Sequence, residues 1–409
     1  MTDRRFDFHP HTRLIYGEGV IDSLGELVHE YGGRCALVVT DAGIARAGHA
    51  ERAAQSILKS GLHAHVYDRV RENPTTQHVA ECVAAAREHD IDFIVGLGGG
   101  SSMDTAKGSN FILTNGGRMA DYWGVNKATR AMLPLIAVPT TAGTGSECQS
   151  FALIADETTH QKMACGDDKA YAKVALLDPL LTLSQPPRVT ANTGIDTVTH
   201  AFESHVTSAR TAISQLFSRE SWKLANDSLE TVLKDPNDRA ARGRMLLASA
   251  YGGAAIAQSM LGAVHSAANP LTAHYNIVHG QAVGIMLPHV IRFNSRDSGV
   301  MREYLDLASS AGLAGHNHGD GPPRMLDALL LRINGLLGAA EIPDSLSELG
   351  VKRETLPQLA DEAARQWTAG FNPVRIAAAD FLALYESAWQ SRRGTLSFAG
   401  QGASPRRSG

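Results

Sequence analysis

Phe93-Ile94-Val95-Gly96-Leu97-Gly98-Gly99-Gly100-Ser101-Ser102-Met103-Asp104-Thr105-Ala106-Lys107 joins an apolar, β-rich run to a helix-forming segment through consecutive glycines. The run 93–98 shows no polar alternation, as expected of a strand buried on both faces of a parallel sheet. Glycines 98–100 carry no Cβ and let the backbone approach a ligand. A helix opening behind them offers free N–H groups and the positive end of its dipole to a pyrophosphate. A merely tight turn would read the same way at this level. Nor is this the ordinary dinucleotide fingerprint, because Ser101 takes the third glycine place of Gly96-x-Gly98-x-x-Ser101.

Outward from this turn, strand and helix signals alternate through the first half of the chain. Strands are predicted at 12–19, 34–41, 65–70 and 133–139. Helices are predicted at 20–31, from Gly43 to about 60, after Pro74 to 89, and at 101–114. Such alternation predicts a doubly wound, Rossmann-like α/β domain. Beyond about residue 186 the β-branched runs stop and segments with a 3.6-residue period take over, at 189–206, 212–233, 240–260, 281–293, 324–337 and 356–366. The expected organisation is an α/β domain over 1–185 and an all-helical domain over 186–391. A polar loop is expected at 315–323 and a disordered tail at 392–409.

The helical half carries two separated pieces of another kind. In Gly194-Ile195-Asp196-Thr197-Val198-Thr199-His200-Ala201-Phe202-Glu203, Asp196 and His200 stand at i and i+4, so a helix projects both from one face. The second piece holds His265 and His279, with Pro270 between them, which predicts two helices or one broken helix. One carboxylate and three imidazoles suit zinc or ferrous iron better than calcium or magnesium. The chain has 17 histidines. Spacing alone therefore leaves ordinary core or surface imidazoles as the alternative.

Composition narrows the function classes. The chain has 409 residues, 44% hydrophobic and 20% charged, with a formal net charge of −4. That balance gives no support to nucleic acid or an anionic membrane surface as partner. Cys35, Cys82, Cys148 and Cys165 form no CxxC pair and read as reduced thiols. The first residues lack an apolar signal region and no run approaches a membrane span, so a soluble, cytoplasmic protein is expected.

Taken together, these segments resemble the iron-containing (group III) alcohol dehydrogenases, over about residues 6–390. The resemblance implies that Asp196, His200, His265 and His279 hold the metal. It makes Gly98-Gly99-Gly100-Ser101-x-x-Asp104-x-Ala106-Lys107 the pyrophosphate motif. Pro139-Thr140-Thr141-Ala142-Gly143-Thr144-Gly145-Ser146-Glu147 becomes the second nucleotide loop, contacting adenine and ribose through the hydroxyls of Thr140, Thr141, Thr144 and Ser146. A fingerprint search would seek the ribose-binding acid about 20 residues after the glycines and pick Asp121. The family places it earlier, at Asp41, where a carboxylate accepts from the ribose 2′-OH and favours NAD over NADP; as a residue, Asp41 reads equally as a turn former. Asn73 and Lys162 match further cofactor-side positions.

The activity implied is hydride transfer between NAD(H) and a small alcohol and its aldehyde or ketone, with the substrate oxygen polarised by a divalent metal, in a homo-oligomer (dimer or higher). Four protein ligands would close a tetrahedral zinc site, whereas iron stays open to further ligands, which favours Fe2+ over Zn2+. One position departs from the family. Four residues after His265 many members carry a histidine thought to relay the proton, and here the residue is Asn269, whose amide does not titrate. His274 is the candidate substitute or a surface imidazole. Gln149, Phe151, Phe202, Asn269 and His274 are the candidates for the substrate pocket. Two alternatives share the scaffold. A maleylacetate-reductase-like enzyme conflicts with the intact ligand set, and a lyase of the dehydroquinate-synthase type needs basic substrate-gripping residues that are not evident. A non-catalytic protein on this scaffold would show eroded ligands or glycines, and none are eroded.

Overall fold

A computed structural model describes residues 5–159, 161–313 and 322–391; most of the expected 315–323 loop and the 392–409 tail lie outside them. The chain opens with β1 (Arg13–Tyr16), α1 (Leu24–Glu30), β2 (Cys35–Val39), α2 (Ala42–Arg46), α3 (His49–Lys59) and β3 (His63–Tyr67). Then follow α4 (Thr76–Arg87), β4 (Phe93–Gly98), α5 (Gly100–Asn115), β5 (Gly124–Val125) and β6 (Leu135–Pro139). Six strands form one parallel sheet in the order β3-β2-β4-β6-β9-β1, where β9 is Val174–Leu177. All six residues of β4 and all five of β6 are buried, which explains their unbroken apolar sequence. From β2 the chain winds outward to β3 and then returns to β4 on the other side of β2. The reversal leaves a crevice at the carboxyl ends of β2 and β4, where doubly wound sheets take their ligands.

Several expected boundaries move. The strand expected at 65–70 lies at His63–Tyr67, because pairing with β2 sets Cys35 against His63 and Val39 against Tyr67. The predicted helix 20–31 begins as a 3₁₀ turn, Val20–Ser23. The helix expected to reach residue 60 breaks at Gly48, which has φ 82, into α2 and α3. A second sheet, absent from the sequence reading, consists of β5, β8 (Lys162–Gly166) and β7 (Phe151–Ala155), with β7 and β8 antiparallel. Its strands are short, and the partner of β5 lies about forty residues away in β8.

The second half is helical as expected, with α6 (Pro187–Val206), α7 (Ala212–Lys234), α8 (Arg239–Ala257), α9 (Ala263–Tyr275), α10 (His279–Asn294), α11 (Ser298–Ser310), α12 (Pro322–Ala339), α13 (Leu356–Arg365) and α14 (Ala378–Gln390). A single apolar core holds these helices together, centred on Ile195, Trp222, Val283, Leu330 and Tyr385. Two helices do separate His265 from His279, but the break is not at Pro270, which sits inside α9. The chain turns at Asn276, in the left-handed conformation that asparagine tolerates (φ 52, ψ 26). No helix among the described residues is long and apolar enough to cross a membrane.

The two halves meet where the loop after β6 lies on α8. Gly145, at φ 60, donates its N–H to the Ser249 hydroxyl at 3.2 Å, and a Cβ on Gly253 would lie 2.1 Å from the Gly145 carbonyl oxygen. The atoms that a Cβ on Gly253 would meet are all Gly145 backbone and cannot give way. Gly253→Ala is therefore expected to destabilise the protein by about 1–3 kcal/mol through overpacking, read as a lower midpoint in urea unfolding, whereas Ala254→Gly beside it costs only about the helix propensity difference of ~1 kcal/mol.

Candidate active site

Helix α6 runs beneath the centre of the site and projects Asp196, His200 and Glu203 from one face, at i, i+4 and i+7. His265 enters from the first turn of α9, and His279 is the first residue of α10. All three imidazoles turn Nε2 toward the same oxygen. Asp196 Oδ1 lies 3.3 Å from His200 Nε2, 3.5 Å from His265 Nε2 and 3.7 Å from His279 Nε2. The ligand atoms of Asp196, His265 and His279 all fall within 4.8 Å of one another, and His200 joins this group through Asp196. The His200 and His265 rings stack, with centroids 5.0 Å apart.

The arrangement fits a cation. Asp196 Oδ1 and His265 Nε2 are buried with no hydrogen-bond partner, a costly state unless an ion satisfies both. Nδ1 of His200 faces the carbonyl oxygen of Gly143 at 3.1 Å, and Nδ1 of His265 faces Glu203 Oε2 at 2.5 Å. Both partners accept, so each ring carries its proton on Nδ1 and keeps the Nε2 lone pair for the centre. Without the ion, burial pushes the Asp196 carboxyl up, but His200 and His279 outweigh it and hold the group well below the usual range. Burial likewise drives His200 down and His279 down to about 3. His265 is also buried, yet Glu203 and Asp196 raise it to about 9. Asp196, His200 and His265 are enclosed, while the His279 side chain is 34% exposed, so the cluster opens on that flank.

The nucleotide candidates gather at the crevice between β2 and β4. Gly98 has φ 143, and a Cβ built there would lie 2.4 Å from the Ser102 hydroxyl and 3.7 Å from Asp41 Oδ2. Asp41 Oδ1 caps α2 by accepting from Gly43 N and Ile44 N. One Asp41 oxygen thus serves the turn, and the other points toward the glycines. The first N–H groups of α5 have no side-chain cap. Gly99 packs on Thr141 and Gly100 on Thr144, so the two loops face each other. Thr140 is buried and Ser101 half-buried beside them. Asp121 instead accepts from Arg118 N in a turn, far from this role.

Lys107, which the sequence reading carried only as part of the motif, is fully buried and holds the second loop. Its Nζ lies 2.6 Å from Ser146 O, 3.0 Å from Ser146 Oγ, 2.7 Å from Gln149 O and 3.2 Å from Phe151 O. Burial lowers Lys107 to about 8 and raises the neighbouring Asp104 to about 6, against the pull of Lys107 and Lys162. Lys162 stands at the start of β8, and its charge bears on both Asp104 and His279. Asn73 is an exposed residue with φ 51 preceding α4.

The substrate-side candidates divide. Asn269 lies one turn beyond His265 and donates from Nδ2 to Gln366 Oε1 at 3.1 Å. Phe151 meets Trp367, with ring centroids 5.5 Å apart, and Gln149 donates to the Thr144 carbonyl. Phe202 does not face the metal cluster: it lies off the Asp196–His200–Glu203 face and is buried against Trp222 and Tyr304. His274 is not brought to the cluster either. Nine residues separate it from His265, about two and a half helical turns, so it leaves the opposite face of α9 and pairs at the surface with Glu362 at 2.7 Å. The sequence reading missed Glu203, Gln366 and Trp367. Glu203 had a signal, its i+7 spacing from Asp196; the other two, about a hundred residues further along, had none.

A family model described as iron-containing alcohol dehydrogenase matches residues 11–179, and one described as the C-terminal region of the Fe-containing alcohol dehydrogenase family matches residues 190–389. Alcohol dehydrogenase 4 of Schizosaccharomyces pombe is 34% identical over 374 residues, 91% of this chain and 87% of that one. A crystal structure of a 1,3-propanediol oxidoreductase superposes with a TM-score of 0.90 at 29% identity, covering 94% of this chain and all of the other. Sulfoacetaldehyde reductase from Bifidobacterium kashiwanohense, solved in complex with NAD+, matches with a TM-score of 0.83 at 27% identity over 94% of this chain and 99% of that one. The shared fold, the buried donor cluster and these matches over nearly the whole chain agree: the protein belongs to the iron-containing alcohol dehydrogenase family.

Proposed function

We propose that this chain is an NAD-dependent alcohol dehydrogenase that interconverts a small alcohol and its aldehyde or ketone at a ferrous centre held by Asp196, His200, His265 and His279. The observation that carries this reading is the single Asp196 oxygen shared by three imidazoles, with His200 tied through Nδ1 to Gly143 of the second nucleotide loop. When bound, the ion would polarise the substrate oxygen and NAD+ would take up the hydride. The protein contributes position and field. Asp196 brings the negative charge that retains a divalent cation, and Gly143 and Glu203 fix the two buried rings. Asp41, Gly98, Gly99, Gly100, Ser101 and Asp104 line the pyrophosphate and ribose side, with Thr140, Thr141, Thr144, Ser146, Asn73 and Lys162 completing the cleft. Asn269, Phe151 and Trp367 form the substrate wall.

Asn269 hydrogen-bonds but cannot accept a proton, so the proton leaves by solvent at the exposed His279 flank. The division into domains at about residue 186 follows the change from sheet to helices. Four free cysteines support a cytoplasmic location. A homo-oligomer is supported by the edge strand β1, where Leu14 is 40% and Tyr16 48% exposed. The intact donor cluster speaks against a metal-free maleylacetate-reductase-like enzyme.

Metal-stripped protein is expected to show no NAD reduction with short alcohols and diols and to recover it with Fe2+, less with Zn2+. His265→Ala should remain folded and fail to recover with either ion, and full recovery in that variant would refute the site. Asp41→Gly is expected to narrow the preference for NAD over NADP, which in the unmodified enzyme should be roughly ten- to a thousandfold in kcat/KM; equal values for the two cofactors before substitution would remove Asp41 from this role. Because His274 faces Glu362 at the surface, His274→Phe should keep the wild-type kcat and pH–rate profile, and loss of an ionisation from that profile would return it to the proton path.

A further inference from the structure

The first turn of α9 has an unusual dependence on distant residues. A helix start leaves its leading N–H groups without partners, and the usual remedy is a capping side chain immediately before it. Here the preceding residue is Gly262, which has no side chain, and no side-chain cap is made. The groups are satisfied from elsewhere. Ala263 N donates to Asn372 Oδ1 at 3.4 Å, Val264 N to Glu203 Oε1 at 2.7 Å and His265 N to Glu203 Oε2 at 3.4 Å. The same Glu203 oxygen accepts from His265 Nδ1. Glu203 is 4% exposed, so this carboxylate is held out of water by its donors alone.

We propose that Glu203 is a positioning residue for the metal centre: through one carboxylate it fixes both the ring orientation and the tautomer of His265, and so sets the affinity for the ion. The proposal rests on the metal-centre reading above. A proton held on Nδ1 by Glu203 leaves Nε2 as the lone pair facing Asp196, which is the state a ligand needs. The carboxylate accepts at both oxygens, toward Val264 N and toward the ring. A glutamine of the same length has one accepting oxygen. If that oxygen keeps the Val264 contact, its NH2 group faces His265 Nδ1 and favours the tautomer protonated at Nε2, which closes the metal-facing atom.

The test separates this role from simple helix capping. Zn2+ affinity of the stripped full-length protein is measured by competition with a chromophoric chelator, and thermal midpoints are taken metal-free and at saturating Zn2+. Glu203→Gln is expected to raise the Zn2+ dissociation constant by roughly ten- to a hundredfold and to reduce the upward shift in midpoint that Zn2+ produces. The visible spectrum of the Co2+-substituted protein should change as well. A cap-only role would lower both midpoints equally and leave the dissociation constant and the Co2+ spectrum at their wild-type values, which overturns the proposal. If Glu203→Gln does not fold, Glu203→Asp retains the charge but withdraws it from the ring by one methylene. Weaker Zn2+ binding in that variant supports the proposal, and wild-type binding overturns it. Failure of the unmodified protein to bind Zn2+ or Fe2+ would instead strike the metal-centre reading itself.

Discussion

One buried oxygen organises the site. Asp196 Oδ1 has three imidazole nitrogens between 3.3 and 3.7 Å away, and none of them is placed as its hydrogen-bond donor. A carboxylate removed from water without a partner is one of the costliest groups a fold can hold. A divalent cation would resolve the conflict, since the same charge would satisfy the carboxylate and the facing lone pairs. The candidate ligands come from α6, α9 and α10, so the cluster also ties those helices together.

A second constraint places this cluster against the crevice of the parallel sheet. The parallel sheet reverses its winding between β2 and β4, and Asp41, just past β2, and Gly98, the last residue of β4, face each other across the crevice. The loop after β6 closes one side. Its Gly143 carbonyl accepts from His200, its Gly145 packs backbone to backbone on Gly253 of α8, and Lys107 of α5 gathers its far end through Ser146 and Gln149. The distance from this loop to His200 is thus set by contacts with little slack. The conformational freedom of a glycine at 145 is needed for the approach, and side chains at 145 or 253 would force the halves apart.

Much of this was legible in the chain itself. The unbroken apolar run 93–98 ending in glycines determined a strand buried on both faces with a helix behind it. The change of period near residue 186 determined a helical second half, and the Asp196–His200 spacing determined two donors on one helix face. These are local consequences of strand and helix periodicity, so residue order suffices. Pro270 pointed to two helices, which are present, but the proline is accommodated inside α9 and the turn falls at Asn276, where a left-handed conformation is available.

What only the tertiary structure decided were the relations between segments. Whether Phe202 faces the site or the core depended on the helices packed against α6, and whether His274 reaches the cluster depended on which face of α9 turned toward it. The small sheet of β5, β8 and β7 needs β5 to pair with β8, about forty residues further along. Glu203 is the clearest case. Its sequence position put it on the ligand face of α6, but its work is done on the N–H groups of α9 and on the ring of His265, sixty residues away. A helix start preceded by glycine and a carboxylate without a local partner are each unremarkable in sequence, and their complementarity exists only once the two helices are side by side.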